Sequence, residues 1–315
     1  MKKIIGLLAF LAISSSCDDG DLTVEAISFD DVTAQKCGIN DIIYKVKSNE
    51  ALLIEIGQDG ATPFANEPTT TPREFTIGSD NNVVYRSYSG PIGVGNICAT
   101  IPATTPIVVN EWVAVSGTIQ ITTTAITAPN TSINSPNATR ITEYNHYIVL
   151  KNVTFIKPSG TQLYETFVFG NYRTDATTLP IAFDDQAEKC AGSNLVYNWS
   201  GSEALFVDID PALFQNTPGT QTSIINSTNK ITYKYFESGL TSYDFCANPI
   251  PTSPAVREEW IAKDGVTNIS GIIEVTTTTF GSGFQHTIRL KKVTMKKGNS
   301  EFYLGDDYLY GSFIQ

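Results

Sequence analysis

The sequence predicts an all-β protein built as two tandem antiparallel β-sandwich domains, with small Greek-key barrels as the alternative architecture. Three observations carry this. Threonine, valine, isoleucine and tyrosine abound and long helical periodicity is missing, a composition that favours strands. Short segments alternate apolar and polar residues, as half-buried strands do. Finally, a series of matches recurs along the chain at an offset that drifts between about 140 and 154 residues, the mark of one duplication with insertions in loops.

The matches run in order. Phe29-Asp30-Asp31 corresponds to Phe183-Asp184-Asp185, and Glu50-Ala51-Leu52 to Glu203-Ala204-Leu205. Glu111-Trp112 corresponds to Glu259-Trp260, and Ser116-Gly117 with Thr122-Thr123-Thr124 to Ser270-Gly271 with Thr276-Thr277-Thr278. Leu150-Lys151 with Val153-Thr154 corresponds to Leu290-Lys291 with Val293-Thr294, and Phe169-Gly170 to Tyr310-Gly311. The domain reading is a signal peptide at 1–16, an acidic tether at 17–22, a first β domain at 23–172 and a second at 173–315.

Within each copy the strands can be justified one by one. Leu52, Ile54 and Ile56 share a parity, as do Leu205, Val207 and Ile209, so these sets face inward while Glu55 and Asp208 face out. Ile119 and Ile121, like Ile273 and Val275, form the next inward pair after a glycine. Ile148 and Leu150 lie on one parity but Val153 and Phe155 on the other. Ile288 and Leu290 switch to Val293 and Met295 at the same place. An extra residue near Lys151-Asn152 and Lys291-Lys292 predicts a β-bulge in each copy; a strand buried on both faces is the alternative. The hairpin before this strand turns through Gly281-Ser282-Gly283 in the second copy. In the first it carries an insert from Thr127 to Arg140, rich in Asn, Ser, Thr and Pro, which is expected to project into solvent.

The five cysteines divide into one plus two pairs. Cys37 and Cys98 occupy the same repeat positions as Cys190 and Cys246, with spacings of 61 and 56 residues. Arithmetic alone would allow pairing across the copies, but the matched positions predict Cys37–Cys98 and Cys190–Cys246. Each closed loop should stabilise by about 4 kcal/mol in the loop-entropy picture. A zinc site would want shorter spacings and more than the two histidines present.

Cys17 stands apart. It follows a basic Lys2-Lys3, an apolar run from Ile4 to Ile13 that is too short to span a bilayer, and Ser14-Ser15-Ser16. Asp18, Asp19 and Asp21 come next. This resembles a bacterial lipoprotein signal, with Ser14 where leucine is usual, and the acidic run resembles the surface-export signal of Bacteroidota lipoproteins. The resemblance covers the leader and tether alone. It implies acylation of Cys17, attachment to the outer membrane through lipid, and display on the cell surface. An ordinary secretory signal cut near Ser16 would instead leave Cys17 a free thiol, unusual in a secreted chain.

Composition limits the partners. The net charge is −11, and losing residues 1–16 removes two lysines and no acid, leaving a mature chain near −13. Such a surface repels nucleic acid. No nucleophile elbow and no phosphate loop occurs, and no catalytic residue is assigned. His146 and His286 align with each other, each two residues after an aromatic; satisfied strand histidines are a simpler reading than paired bases. Asp30-Asp31 and Asp184-Asp185 could begin a calcium site, the only cofactor suggested, but turn chemistry explains them as well, and no metal ligands are assigned. Asp306-Asp307 has no counterpart in the first copy and reads as a solvated turn. Trp199 replaces Val46 of the first copy and, with Tyr197 on the same face, is the candidate ligand-binding pair, although core packing competes. The functional expectation is a non-catalytic surface binding or adhesion module for a glycan. An accessory subunit docking on an envelope protein comes second, and a glycan-active hydrolase with dispersed carboxylates third.

Overall fold

The computed structural model describes residues 26–38, 40–57, 62–101 and 103–315. The expected signal peptide, Cys17 and the expected acidic tether lie outside the described residues.

The first copy contains β1 (Gln35–Lys36), β2 (Ile42–Lys47), β3 (Glu50–Ile56), β4 (Arg73–Thr76), β5 (Asn81–Tyr88), β6 (Val108–Pro129), β7 (Thr139–Lys157) and β8 (Gly160–Asp175). All neighbours pair antiparallel, in the order β1-β2-β3-β5-β6-β7-β8. Strand β5 pairs with the first half of β6, whereas β4 pairs with Thr118–Ile121 of its second half. The long strands β6, β7 and β8 therefore pass from one layer of the sandwich into the other.

The passage happens at the bulge that the parity switch predicts. Ser116 faces Thr154 and Thr118 faces Lys151, so Gly117 lies opposite both Asn152 and Val153. Gly117 sits at φ +126°, and a Cβ there would fall 2.8 Å from the Val153 Cα; the matching Gly271 sits at φ +64°, where a Cβ would fall 2.6 Å from the Gly265 Cα.

The second copy contains β9 (Glu188–Lys189), β10 (Leu195–Ser200), β11 (Glu203–Asp208), β12 (Gly219–Ile224), β13 (Lys230–Phe236), β14 (Val256–Ala262), β15 (Ile272–Phe280), β16 (Gly283–Lys291), β17 (Thr294–Lys297), β18 (Ser300–Tyr303) and β19 (Tyr308–Ile314). Here the two layers are separate sheets, β18-β17-β14-β13-β11-β10-β9 and β12-β15-β16-β19. Each long strand of the first copy is matched by two shorter ones, β14 with β15, β16 with β17, and β18 with β19. Lys292, at φ +51°, breaks the chain where Asn152, at φ +50°, only bends it.

A core fills the space between the layers of each copy. Leu52, Ile54 and Ile56 meet Ile119, Ile121, Ile148 and Leu150 in the first; Leu205, Val207 and Ile209 meet Ile273, Val275, Ile288 and Leu290 in the second. Glu55 and Asp208 are exposed, as the alternation requires. The outer face of the larger layer is covered as well. Cys37 is joined to Cys98 and Cys190 to Cys246, with Cα separations of 5.3 and 5.5 Å. The loops so held pack on Tyr44, Ala51 and Leu53 in the first copy and on Tyr197 and Ala204 in the second. That cover explains why β3 is apolar at both parities in its middle.

Candidate binding site at the seam between the copies

The insert between β6 and β7 does not project into solvent. Ile133 and Ala138 are buried in the core of the second copy. Around them the polar residues of the insert bind the β18–β19 turn. The backbone N–H of Asp306 donates to the Pro136 carbonyl at 2.8 Å, and that of Asp307 to Ser135 Oγ at 3.2 Å. Asn137 Nδ2 donates to Asp306 Oδ2 at 2.8 Å, and the Tyr303 N–H to Thr139 Oγ1 at 2.9 Å. The expectation of a free loop failed because its two buried apolar residues, Ile133 and Ala138, join the other core, while Ser135, Asn137 and Thr139 are bonded by another part of the chain. For the same reason Asp306 is not a solvated turn residue. The Tyr303 hydroxyl and the Asn137 amide hold its carboxyl below the usual range, and Asp307 pairs with Arg289 at 2.7 Å.

Two further contacts close the seam. Asn299, in the β17–β18 hairpin, donates to Glu67 Oε1 and to the Pro68 carbonyl. Tyr144 Oη and Ser300 Oγ are 2.9 Å apart. The linker after β8 is fixed by Glu203, which is 2 % exposed. Its carboxylate accepts from the Ile181 N–H at 2.8 Å, the Ala182 N–H at 2.7 Å and the Tyr233 hydroxyl at 2.7 Å. Burial and this carboxylate raise the Tyr233 phenol.

Between these contacts lies a cavity of about 280 Å³. One wall is the start of β7, with Arg140, Thr142 and Tyr144, and the linker residues 176–179 close one side. The opposite wall is Glu258 and Trp260 of β14, Lys297 of β17 and Phe302 of β18. Trp260 and Phe302 meet edge to face with centroids 5.0 Å apart. Trp260 is buried, and its indole N–H has no acceptor among the described residues. Lys297 Nζ and Glu258 Oε2 pair at 2.6 Å. Arg140 is exposed and makes no ion pair among the described residues.

The first copy repeats this arrangement with substitutions. Trp112 stands for Trp260, Asn110 for Glu258, and Lys157, whose Nζ lies 4.7 Å from the Trp112 ring centroid, for Lys297. A pocket of about 290 Å³ lined by Ile27, Glu50, Tyr85, Asn110 and Trp112 occupies the corresponding place.

The histidines are side chains of the second layer. In the first copy Arg73 Nη1 donates to Thr123 Oγ1 at 2.8 Å, so the threonine hydroxyl is free to donate to His146 Nδ1 at 2.9 Å. His146 Nε2 then carries the proton and donates to Thr174 Oγ1 at 3.0 Å, which donates to Asn66 Oδ1 in the cavity wall. Burial, with Arg73 nearby, pulls His146 down to about 4, so its imidazole is neutral. His286 pairs its Nδ1 with Thr277 at 2.9 Å, but its Nε2 has no partner among the described residues, between the rings of Phe214 and Phe313. Burial lowers it too. Neither faces a nucleophile or a carboxylate in a catalytic arrangement.

Trp199 and Tyr197 lie elsewhere, on the outer face under the Cys190–Cys246 loop. Tyr197 is buried and stacked 4.6 Å from Phe245, with its hydroxyl donating to Glu188; Trp199 is half-buried, 5.9 Å from the same ring. They do not line the seam cavity. Asp184 Oδ1 accepts the Gln186 N–H, a turn contact, and among the described residues no group of three His, Cys, Asp or Glu is placed to hold a metal ion.

No protein-family model matches this chain, and no curated protein or solved structure is significantly similar to it.

Proposed function

We propose that this chain is a lipid-anchored, non-catalytic binding module of the outer membrane, displayed at the cell surface, with its ligand seat in the cavity between the copies. Lipid attachment at Cys17 rests on the leader. The observation that carries the seat is Arg140, without an ion pair among the described residues, across a cavity from the Trp260–Phe302 wall, in a seam that the hairpin clasp holds shut. Ligand pockets gather at domain junctions, where rigid elements present apolar walls with a few polar groups. The groups at this one are suited to binding. They include no activated nucleophile, and the two histidines stand away from the cavity as neutral, buried side chains.

The test has two parts. Protease treatment of intact cells should cleave the native lipoprotein as fully as treatment of lysed cells; protection until lysis would overturn surface display. A glycan screen on the mature chain should yield a ligand whose capture is lost in Trp260→Phe and Arg140→Gln. Turnover of that ligand would overturn the non-catalytic reading.

A second reading, an accessory subunit of an envelope assembly, is favoured by a separate surface. Val113, Val115, Ile156 and Leu163 are exposed together on the outer face of the first copy, beside the edge strand β8. Contiguous exposed apolar residues of this kind mark protein contacts more often than chance. Ile156→Lys should release a crosslinked envelope partner if this surface is the one used.

A further inference from the structure

We infer that the seam cavity takes a single sugar ring bearing a carboxylate, as at the acidic end of a glycan. This rests on the proposed ligand seat and adds the chemistry of what fills it.

Size limits the guest first. At about 280 Å³ the cavity falls at the lower end of ligand pockets and has room for roughly nine waters, which suits one substituted ring and not an extended chain. The ring enters end-on, between β7 on one side and β14 with β18 on the other.

Charge limits it next. Lys297 is neutralised by Glu258 at 2.6 Å, so the local balance is set by Arg140, the cation in the wall without an ion pair among the described residues. One unspent guanidinium matches one monoanion. Its planar fork pairs with a carboxylate through two parallel hydrogen bonds. A phosphate dianion would face the Glu258 carboxylate with only one free cation to offset it, and an amine would be repelled by Arg140.

The remaining groups select a polyhydroxylated ring. Glu258 only accepts and Lys297 only donates, so a hydroxyl can donate to the first while accepting from the second. The Trp260–Phe302 pair, set edge to face, offers an apolar corner against which the C–H face of a ring can pack. Trp260 also keeps a buried N–H without an acceptor among the described residues, a group that an incoming oxygen satisfies after a small shift of the side chain.

The position explains why the first copy is not equivalent. Asn110 replaces Glu258, and Lys157 lies over the Trp112 ring. Arg140 belongs to the insert, which the second copy lacks. The acid-binding set therefore assembles once, from both copies, through the clasp.

The test uses the full mature chain with its three tryptophans replaced by 5-fluorotryptophan and assigned by single Trp→Phe variants. Methyl glucuronide, methyl glucoside and inorganic phosphate are titrated while the Trp260 fluorine resonance is followed. The glucuronide should move it at concentrations at least tenfold lower than the glucoside, with phosphate inert. Arg140→Gln should abolish that tenfold preference with an unchanged melting temperature, because Arg140 is exposed. If the glucoside binds as well as the glucuronide, or Arg140→Gln keeps the preference, the carboxylate inference falls and the seat survives. A larger response to phosphate also overturns the carboxylate. If no probe moves Trp260, the seat itself falls.

Discussion

The two copies spend the same strands differently at the joint between their layers. In the first copy β6, β7 and β8 bend through the joint without breaking, and the β6–β7 hairpin is long enough for its tip to reach the second copy. The second copy breaks each long strand, and its matching hairpin ends in a tight Gly281-Ser282-Gly283 turn. The broken joint leaves the cores equivalent, since Leu52 and Leu205, or Leu150 and Leu290, are all essentially unexposed. What changes is the polar periphery. Glu50 accepts one hydroxyl, from Tyr85, where Glu203 accepts a hydroxyl and two backbone N–H groups. Among the described residues His146 is satisfied at both nitrogens and His286 at one. The two sandwiches keep equivalent cores through hydrophobic burial and differ where hydrogen bonds are made one at a time.

The sharpest way to break this comparison is at the paired glutamates. Glu203→Ala leaves the Ile181 N–H and the Tyr233 hydroxyl buried without acceptors, removes the acceptor of the Ala182 N–H and frees the linker, so it should cost about 4 kcal/mol. Glu50→Ala loses one partner and should cost about 1 kcal/mol. Urea denaturation of both variants measures the gap; equal losses would mean that the linker is not held through Glu203.

Next comes pH. The unfolded imidazole of His146 takes up its proton near 6.5 and the folded one only near 4. The stability due to the neutral ring is therefore fully present above pH 6.5 and lost as pH falls through that window to about 4, a change of order 3 kcal/mol. The His146→Gln variant should lose less stability than the wild type between pH 7 and pH 4 in parallel urea titrations. At neutral pH, His146→Phe strands Thr123 and Thr174 and should cost about 2 kcal/mol more than His286→Phe, whose ring already stands between two phenylalanines.

The clasp gives a smaller effect. Gly305 sits at φ +102°, and a Cβ there would overlap Ser135 and crowd the Pro136 carbonyl. Gly305→Ala should cost about 2 kcal/mol and loosen the seam, visible as faster hydrogen exchange at the Asp306 and Asp307 amides. Unchanged exchange there would show that the insert is not held by this turn. The smallest effect is at Trp199. Replacing it with alanine removes a half-buried ring from Phe245 and should cost about 1 kcal/mol without altering ligand capture at the seam.

Much of the fold was legible because it depends on periodicity. The parity switch at Lys151-Asn152 marked the bulge, and the matched cysteines marked both bridges, because an inward face and a closed loop are set by spacing. The candidate site was hardly legible. In the sequence Trp260 is marked only by its match to Trp112, whereas Trp199 stands out because Val46 takes its place in the first copy. Arg140, Tyr144, Glu258 and Lys297 are scattered over more than half the chain and share no spacing. The one usable signal was that the insert exists in a single copy.

By itself the sequence determined the all-β class and the strand faces, since alternation of apolar residues follows from the two-residue repeat of a strand. Only the tertiary structure decided that the insert is a clasp and that the copies share a cavity. Those facts depend on which distant backbone groups satisfy Ser135, Asn137 and Thr139. A polar residue that will bond to water and one that will bond to a distant part of the chain are written the same way.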